Sequence, residues 1–331
     1  MNPRANLNAL VCCLATAAAF GANAQAPSAK ATQAYPAKPI RWLVPFGAGG
    51  VGDIVSRTIA QKMAEAMGQQ IVIDNRPSAG GIVAMELAAK ANPDGYTLMG
   101  LSNANTISAA MFKSLPYDTV NDFSMVSTLG AFSLVVIVAP DSPIKTVKDL
   151  IAQAKGTPGK LNMGTVNIGT TQHLSAELFK SMAGLDMVTV PYSTTAGVLA
   201  ALRGNSVQVS FEFLPPVIGH IKAGFIRPIA VTPRARFALL PDVPTLAESG
   251  VPGYEVTSWN GLAVPAKTPK AIIDRLNEEV RAAISSPQVK QRFQELSVEP
   301  NPSTPQHMHS FVISEITKWN ALIDKAKIPR Q

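Results

Sequence analysis

Gly47, Gly49 and Gly52 spell G-x-G-x-x-G, after the apolar run Ile40–Phe46 and before a helical pattern. Asp74 ends the next apolar run, about twenty residues further on. In form this is a dinucleotide fingerprint, which would make the chain a nucleotide-dependent enzyme. The chemistry beneath the pattern is broader. A glycine-rich turn at a helix start presents several unpaired backbone N–H groups and the positive end of the helix dipole. Such a turn receives anions of any kind, carboxylates included. Three features weigh against the nucleotide reading. The N-terminal export pattern sends the chain where no nicotinamide cofactor pool is expected. Pro45 widens the loop, and Asp74 runs into Asn75-Arg76-Pro77, where a turn explains it as well.

Two more segments have the same character. In Gly164–His173 (GTVNIGTTQH) a strand pattern gives way to glycine and threonine and then to a helical pattern. Thr165, Gly169, Thr170, Thr171 and His173 are its candidate ligand contacts. Thr170 or Thr171 suits a helix cap or a hydroxyl donor to a ligand. Ser102-Asn103-Ala104-Asn105 closes another strand pattern, where open α/β sheets hold their ligands. Ser102 and Asn103 are candidates there, and an Asn/Ser turn without a ligand fits the same residues.

Catalytic and metal chemistry find little support. The four histidines are His173, His220, His307 and His309. The His307/His309 pair has i, i+2 spacing, which points to different faces of a helix. No G-x-S-x-G elbow is present. The only cysteines are Cys12 and Cys13. No enzyme, cofactor or metal site is expected.

The elements that must position the three loops follow from periodicity. Ile40–Phe46, Gln70–Asp74 and Thr97–Ser102 read as strands. A helix over Asp53–Met67, with Asp53 as N-cap and Gly68 as stop, and a helix near Gly81–Ala91 lie between them. Leu134–Val138, Leu161–Gly164, Val188–Pro191, Val207–Phe213, Pro228–Thr232 and Thr257–Pro265 are further strands. Helices are expected at Val147–Ala154, at Gln172–Ala183, after Thr268-Pro269 and after Thr304-Pro305. The βαβαβ order argues for an α/β fold of mostly parallel sheets flanked by helices. Crossings near Ser133–Val138 and Glu255–Trp259 would build two lobes, one from 36–135 with 258–331, the other from 136–257.

Arg4, the apolar run Ala9–Phe20 and the small residues Ala22-Asn23-Ala24 read as a cleaved secretory signal peptide over 1–24. The Ala/Ser/Pro/Gln-rich stretch 25–35 reads as a disordered leader. About 300 residues remain, enough for two domains. The export signal places the mature chain in the periplasm, without cysteine. The net charge of +7 is scattered, which excludes a nucleic-acid stripe and suits anionic ligands.

With these motifs in hand, the chain resembles the Bug family of TctC-like receptors, the periplasmic binding components of tripartite tricarboxylate transporters. The resemblance rests on YPAKPIRWLVPFGAGGVGD (35–53), IDNRPSAGG (73–81), NPDGYTL (92–98), LPYD (115–118), GTTQHLSAELF (169–179) and LPDVPTLAESGVPGYEVTSWNGLAVPAKTPK (240–270). It implies a two-lobed Venus-flytrap fold. It also implies that Phe46, Gly47, Ala48, Gly49, Gly50 and Asp53 hold one carboxylate of a small organic acid, and that the Gly164–Thr171 loop faces them. The implied ligands are di- and tricarboxylates, acidic amino acids or aromatic acids. The implied partners are the transporter's membrane subunits or, by the same ligand step, a sensor kinase; the receptor itself is expected to be a monomer. Two positions depart from the pattern. Ser193-Thr194-Thr195 replace a frequent basic residue and glycine, and Glu212 replaces an aspartate. Glu212 would receive a ligand amine or stand as a surface acid.

Overall fold

The computed structural model describes residues 35–325 and 328–331; the signal peptide and all but the end of the leader lie outside them. Tyr35, assigned to the leader from sequence, is packed: its hydroxyl donates to the Gly95 carbonyl at 2.7 Å and its ring meets Tyr96 edge-on.

The apolar run beginning at Ile40 forms β1 (Ile40–Val44), with Trp42, Leu43 and Val44 buried. The helix that follows, α1 (Val51–Met67), buries Val55, Ile59, Met63 and Met67 on one face. Gly68 stops it in the left-handed conformation, donating to the Ala64 carbonyl at 3.0 Å. The chain continues through β2 (Ile71–Asn75), α2 (Ile82–Ala89), β3 (Thr97–Ser102) and α3 (Asn103–Met111). β1 pairs in parallel with both β2 and β3, as the βαβαβ pattern requires.

The next strand, β4 (Phe123–Val138), is long enough to serve two sheets. After it come α4 (Val147–Gly156), β5 (Asn162–Val166), α5 (Thr171–Ala183), β6 (Val188–Tyr192), α6 (Thr195–Arg203), β7 (Val209–Phe213), α7 (Leu214–Lys222) and β8 (Arg227–Val231). β5 pairs in parallel with β6 and β7. The chain returns along β9 (Thr257–Pro265) and ends in α8 (Lys270–Ser285), α9 (Pro287–Glu295), β10 (Glu299–Pro300) and α10 (Pro305–Lys325).

The strands follow the order β2-β1-β3-β9-β4-β7-β5-β6, with β8 and β10 attached to β4. Residues 123–133 of β4 pair antiparallel with β9, whereas residues 134–138 pair antiparallel with β7 and β8. The outer strands of each half are therefore parallel βα units, and antiparallel pairing is confined to the strands that join or flank the halves. Register shifts between Met125 and Ser127 and between Thr128 and Gly130 mark bulges in β4, which bend and twist a strand. Helix α8 packs on β4 and α1, while α10 packs on α3 and β4.

Several helix starts differ from the sequence expectation. Asp53 is not the N-cap of α1. Gly50 is, and Asp53 lies in the first turn. Thr268 does not cap α8; its hydroxyl donates to the Pro265 carbonyl at 2.7 Å, and Pro269 precedes the first helical residue. Ser102–Asn105 is not a turn but the capped start of α3. Helices α3, α6, α7 and α9 were not expected. Each is nine residues long, and α3 (NANTISAAM) is rich in Asn, Ser and Thr, which favour non-helical local bonds.

Asn103 ties this framework together. Its Oδ1 accepts from Trp319 Nε1 at 2.6 Å, and its Nδ2 donates to the Thr257 carbonyl and to Thr171 Oγ1, both at 3.3 Å. One buried amide thus joins α3, α10, β9 and α5. Replacing Trp319 with Phe removes the indole donor and leaves a void in a dry site. We expect a loss of about 2–4 kcal/mol in guanidinium unfolding; a loss under about 0.5 kcal/mol would contradict this role for the amide.

Candidate functional site

A parallel strand followed by a helix brings the helix N-terminus to the strand's carboxyl end. β1, β3, β5 and β6 all end at one place, and α1, α3, α5 and α6 all begin there. The space between them, counted out to its open mouth, is about 490 Å³.

Each helix start is built differently. At α1 the Gly49 backbone is left-handed, with φ 78°. This conformation suits glycine and costs other residues roughly 1–2 kcal/mol. Asp53, buried beneath the loop, buckles it from below: one carboxylate oxygen accepts from Gly49 N at 2.9 Å. The other accepts from Arg57 Nε at 2.9 Å and Asn75 Nδ2 at 3.0 Å, and Asn75 also donates to the Phe46 carbonyl at 2.9 Å. Burial opposes the Asp53 charge. The bonds from Arg57, Gly49 and Asn75 outweigh it and hold the carboxyl below its ordinary range.

At α3, Ser102 Oγ accepts from Ala104 N at 3.2 Å and Asn105 Oδ1 accepts from Ser102 N at 2.8 Å, a reciprocal cap. At α5, Thr170 Oγ1 accepts from His173 N at 3.2 Å and donates to the Val166 and Asn167 carbonyls. At α6, Thr194 Oγ1 accepts from Gly197 N at 3.2 Å. Gly47 and Thr194 meet across the cavity so closely that a Cβ on Gly47 would stand 2.8 Å from Thr194 Cγ2. This close approach explains the first glycine of the G-x-G-x-x-G pattern.

Of the candidates, Phe46, Gly47, Ala48, Gly50, Ser102 and Thr171 line the cavity. The other candidates do not. Gly49 and Asp53 shape the loop, Asn103 is the buried tie, and Thr170 is a cap. Thr165 is wholly buried, and Gly169 packs against Phe112 and Ser108. His173 is buried in the first turn of α5. Burial pushes its pKa down, helped by Lys180 and opposed by Glu177. Glu212 is neither a surface acid nor a lining residue. It is wholly buried behind Thr195, whose hydroxyl donates to its Oε2 at 3.1 Å, and burial pushes its pKa up to about 8.

The lining also includes residues absent from the candidate list. Ser193, Thr194 and Thr195, which stand where the family often has a basic residue and glycine, face the cavity, as does Gln172. Phe132 and Phe213 supply an apolar wall, their rings edge-on at 4.8 Å. Ser258 and Asn260 come from β9. Among the described residues, no charged side chain lines the cavity. Its polarity comes from hydroxyls, amides and four helix N-termini, which together favour an anion.

The family model of the tripartite tricarboxylate transporter family receptor, TctC, matches residues 55–328. The chain belongs to this family. Its members are solute-binding receptors, so the glycine loop sits in a receptor and not in a dinucleotide enzyme. Three solved structures are similar over nearly the whole chain. R. palustris Rpa4515 with adipate is 35% identical with a TM-score of 0.86, covering 89% of this chain and 99% of that one. The periplasmic binding protein BugD is 29% identical at a TM-score of 0.86, covering 90% and 100%. MatC from Rhodopseudomonas palustris with bound malate is 28% identical at a TM-score of 0.83, covering 87% and 100%. The fold is therefore that of the TctC periplasmic receptors, two α/β lobes with helices on their faces.

A sequence signal existed for some of the missed residues. Ser193-Thr194-Thr195 before the apolar run Val198–Leu202 is a helix-start pattern. None existed for Phe132, Ser258 and Asn260, which lie inside strands.

Two outcomes follow for the α1 loop. Gly49→Val has open space around its side chain but the wrong backbone preference, so a folded variant should bind ligand about five- to thirtyfold more weakly, by strain of roughly 1–2 kcal/mol. Gly49→Asn, which tolerates the left-handed region, should bind nearly as the parent does in calorimetry. Because the Asp53 pKa is depressed, its support is present above the ordinary carboxyl value of 3.8 and fades as the pH falls through its lower folded value. Amide exchange at Gly49 should quicken below about pH 4 relative to amides in β1.

Proposed function

We propose that this chain is an extracytoplasmic receptor that captures a small organic carboxylate in this cavity and hands it to the membrane subunits of a tripartite tricarboxylate transporter. The observation that carries the reading is the convergence of four helix N-termini on a cavity whose lining has no charged side chain. An organic anion there receives backbone N–H groups, hydroxyls and dipole ends, while the phenylalanines and Val51 and Val166 hold its carbon skeleton. Adipate in one relative and malate in another support the carboxylate class. Membership of the transporter-receptor family supports the hand-over. A periplasmic relative and the N-terminal export pattern support the location.

Capture in this reading is a closure of the lobe 36–135 with 258–331 upon the lobe 136–257, with β4 and β9 as the hinge. Gly80 N donating to the Ile168 carbonyl at 2.9 Å and the Gly47–Thr194 approach are contacts that closure makes and opening breaks. The receptor works as a monomer in this scheme, because one chain supplies both walls.

The test is calorimetry and thermal shift with adipate and malate, and with an aliphatic diamine of matching length. A carboxylate should raise Tm by several degrees and the diamine should not. Thr194→Asp and Thr194→Asn both keep a good helix cap and differ by one charge. The Asp variant should bind at least about tenfold more weakly than the Asn variant, roughly 1.4 kcal/mol. Equal affinities, or binding of the diamine in place of the acids, would overturn the reading. Loss of carboxylate uptake when the gene is deleted tests the hand-over.

A further inference from the structure

Glu212 has no role in the reading so far. It sits on β7 opposite Val135 of β4, wholly buried. Its Oε2 accepts from Thr195 Oγ1, and Oε1 has no hydrogen-bond partner among the described residues. It belongs to no ion pair among the described residues either. The two side chains that lean on it, Thr195 and Gln172, both line the cavity. They also stand in the first turns of α6 and α5, the helix starts that face the ligand from this side. The same two N-termini would therefore serve two anions at once, a ligand carboxylate in the cavity and the Glu212 carboxylate behind its wall.

Other charges do not relieve this conflict. The strands β4, β5 and the rest of β7 carry no ionisable side chain. Arg203 lies in the last turn of α6, and His220 and Lys222 lie in the last turn of α7. They are eight or so residues, about 12 Å of helix, away from the ends nearest Glu212. On α5, His173 is kept neutral by burial, and Lys180 is paired with Glu177. Of the two carboxylates, Glu212 is the wholly buried one and has no cation partner among the described residues, so the ligand's charge adds to burial in favouring its protonated form.

We propose that Glu212 is a proton site coupled to the ligand site, so that a carboxylate is captured with Glu212 protonated and, where Glu212 is ionised beforehand, one proton is taken from solvent onto it. Protonation removes the competing charge and leaves the Thr195 hydroxyl free to turn to the ligand. It also converts Oε1 or Oε2 into a donor. The inference deepens the carboxylate reading and rests on it. Glu212 acts through Thr195 and Gln172 and is a positioning residue of the site. Burial, which raises its pKa to about 8, sets the working range.

The sign follows from linkage. The form that accepts ligand is the protonated one, so affinity is full below about pH 8 and declines as the pH rises through that value. The experiment is isothermal calorimetry of the mature protein from pH 7 to 9.5, with whichever of adipate and malate binds at pH 7, in two buffers of different ionisation enthalpy. Both acids are fully ionised throughout. The parent should bind about thirtyfold more weakly at pH 9.5 than at pH 7, and near pH 8.5 should take up on the order of one proton per ligand. Glu212→Gln should bind with an affinity independent of pH and take up no proton. A flat pH profile without proton uptake in the parent overturns the inference while leaving the carboxylate reading intact. So does a Glu212→Gln variant that keeps the parent's pH profile. Failure of the parent to bind any acid at pH 7 overturns the carboxylate reading itself. If Glu212→Gln does not fold, the parent's buffer series decides alone.

Discussion

The site depends on one unsatisfied requirement of the α-helix. The first N–H groups of any helix have no partner within it. In a parallel βα unit those groups lie at the carboxyl edge of the sheet. Here four such units, two in each half, aim their helix starts at the same space. At α3, α5 and α6 one donor is answered by Ser102, Thr170 and Thr194; at α1 no side chain caps the helix, and Asp53 instead accepts from Gly49 N in the loop before it. The remaining donors and the dipoles are left facing a cavity without a charged side chain. A pocket built this way selects for negative charge through backbone and needs no lysine or arginine. It is less sensitive to side-chain substitution than a cationic pocket would be, since its field comes from the fold.

The joining strands make that convergence a property of the whole chain. β4 changes partners between Ser133 and Leu134, passing from β9 to β7 and β8. Its crossing brings Phe132 and Phe213 edge-on at the back of the cavity, so the same residues that connect the halves furnish the apolar wall. β9 does likewise with Ser258 and Asn260. Asn103, bonded to α5, β9 and α10 at once, couples the cavity wall to the C-terminal helix.

Two buried acids in this molecule show how environment divides one chemistry into two roles. Asp53 receives an arginine, an amide and a backbone N–H and stays ionised; it fixes a loop. Glu212 receives one hydroxyl in full geometry and no cation, and burial prevails. Both were candidates for direct ligand contact from their place in the sequence, and both lie one layer behind the cavity. Their difference is a matter of neighbours brought from 4 to 22 residues away for Asp53 and 17 away for Glu212.

Local pattern was enough to read the strands β1, β3 and β9, the helix α1 and its glycine stop, and the glycine loop as an anion-receiving turn. These are statements about neighbours in the chain: periodicity, caps and backbone freedom. The short helix α3 escaped because nine residues rich in Ser, Thr and Asn carry little propensity and are held by tertiary contacts, and the Ala- and Leu-rich α6 because its nine residues are too short for a clear period. The sequence by itself determined that the chain is an α/β protein with glycine- and threonine-rich helix starts suited to anions. Only the tertiary structure decided which residues share the cavity, because strand order and the crossing of β4 and β9 place Phe132, Ser258 and Thr194 beside Gly47. It alone decided that Glu212 is wholly buried and has no cation partner among the described residues, since burial is a sum over every element packed around a group and no local stretch of sequence contains it.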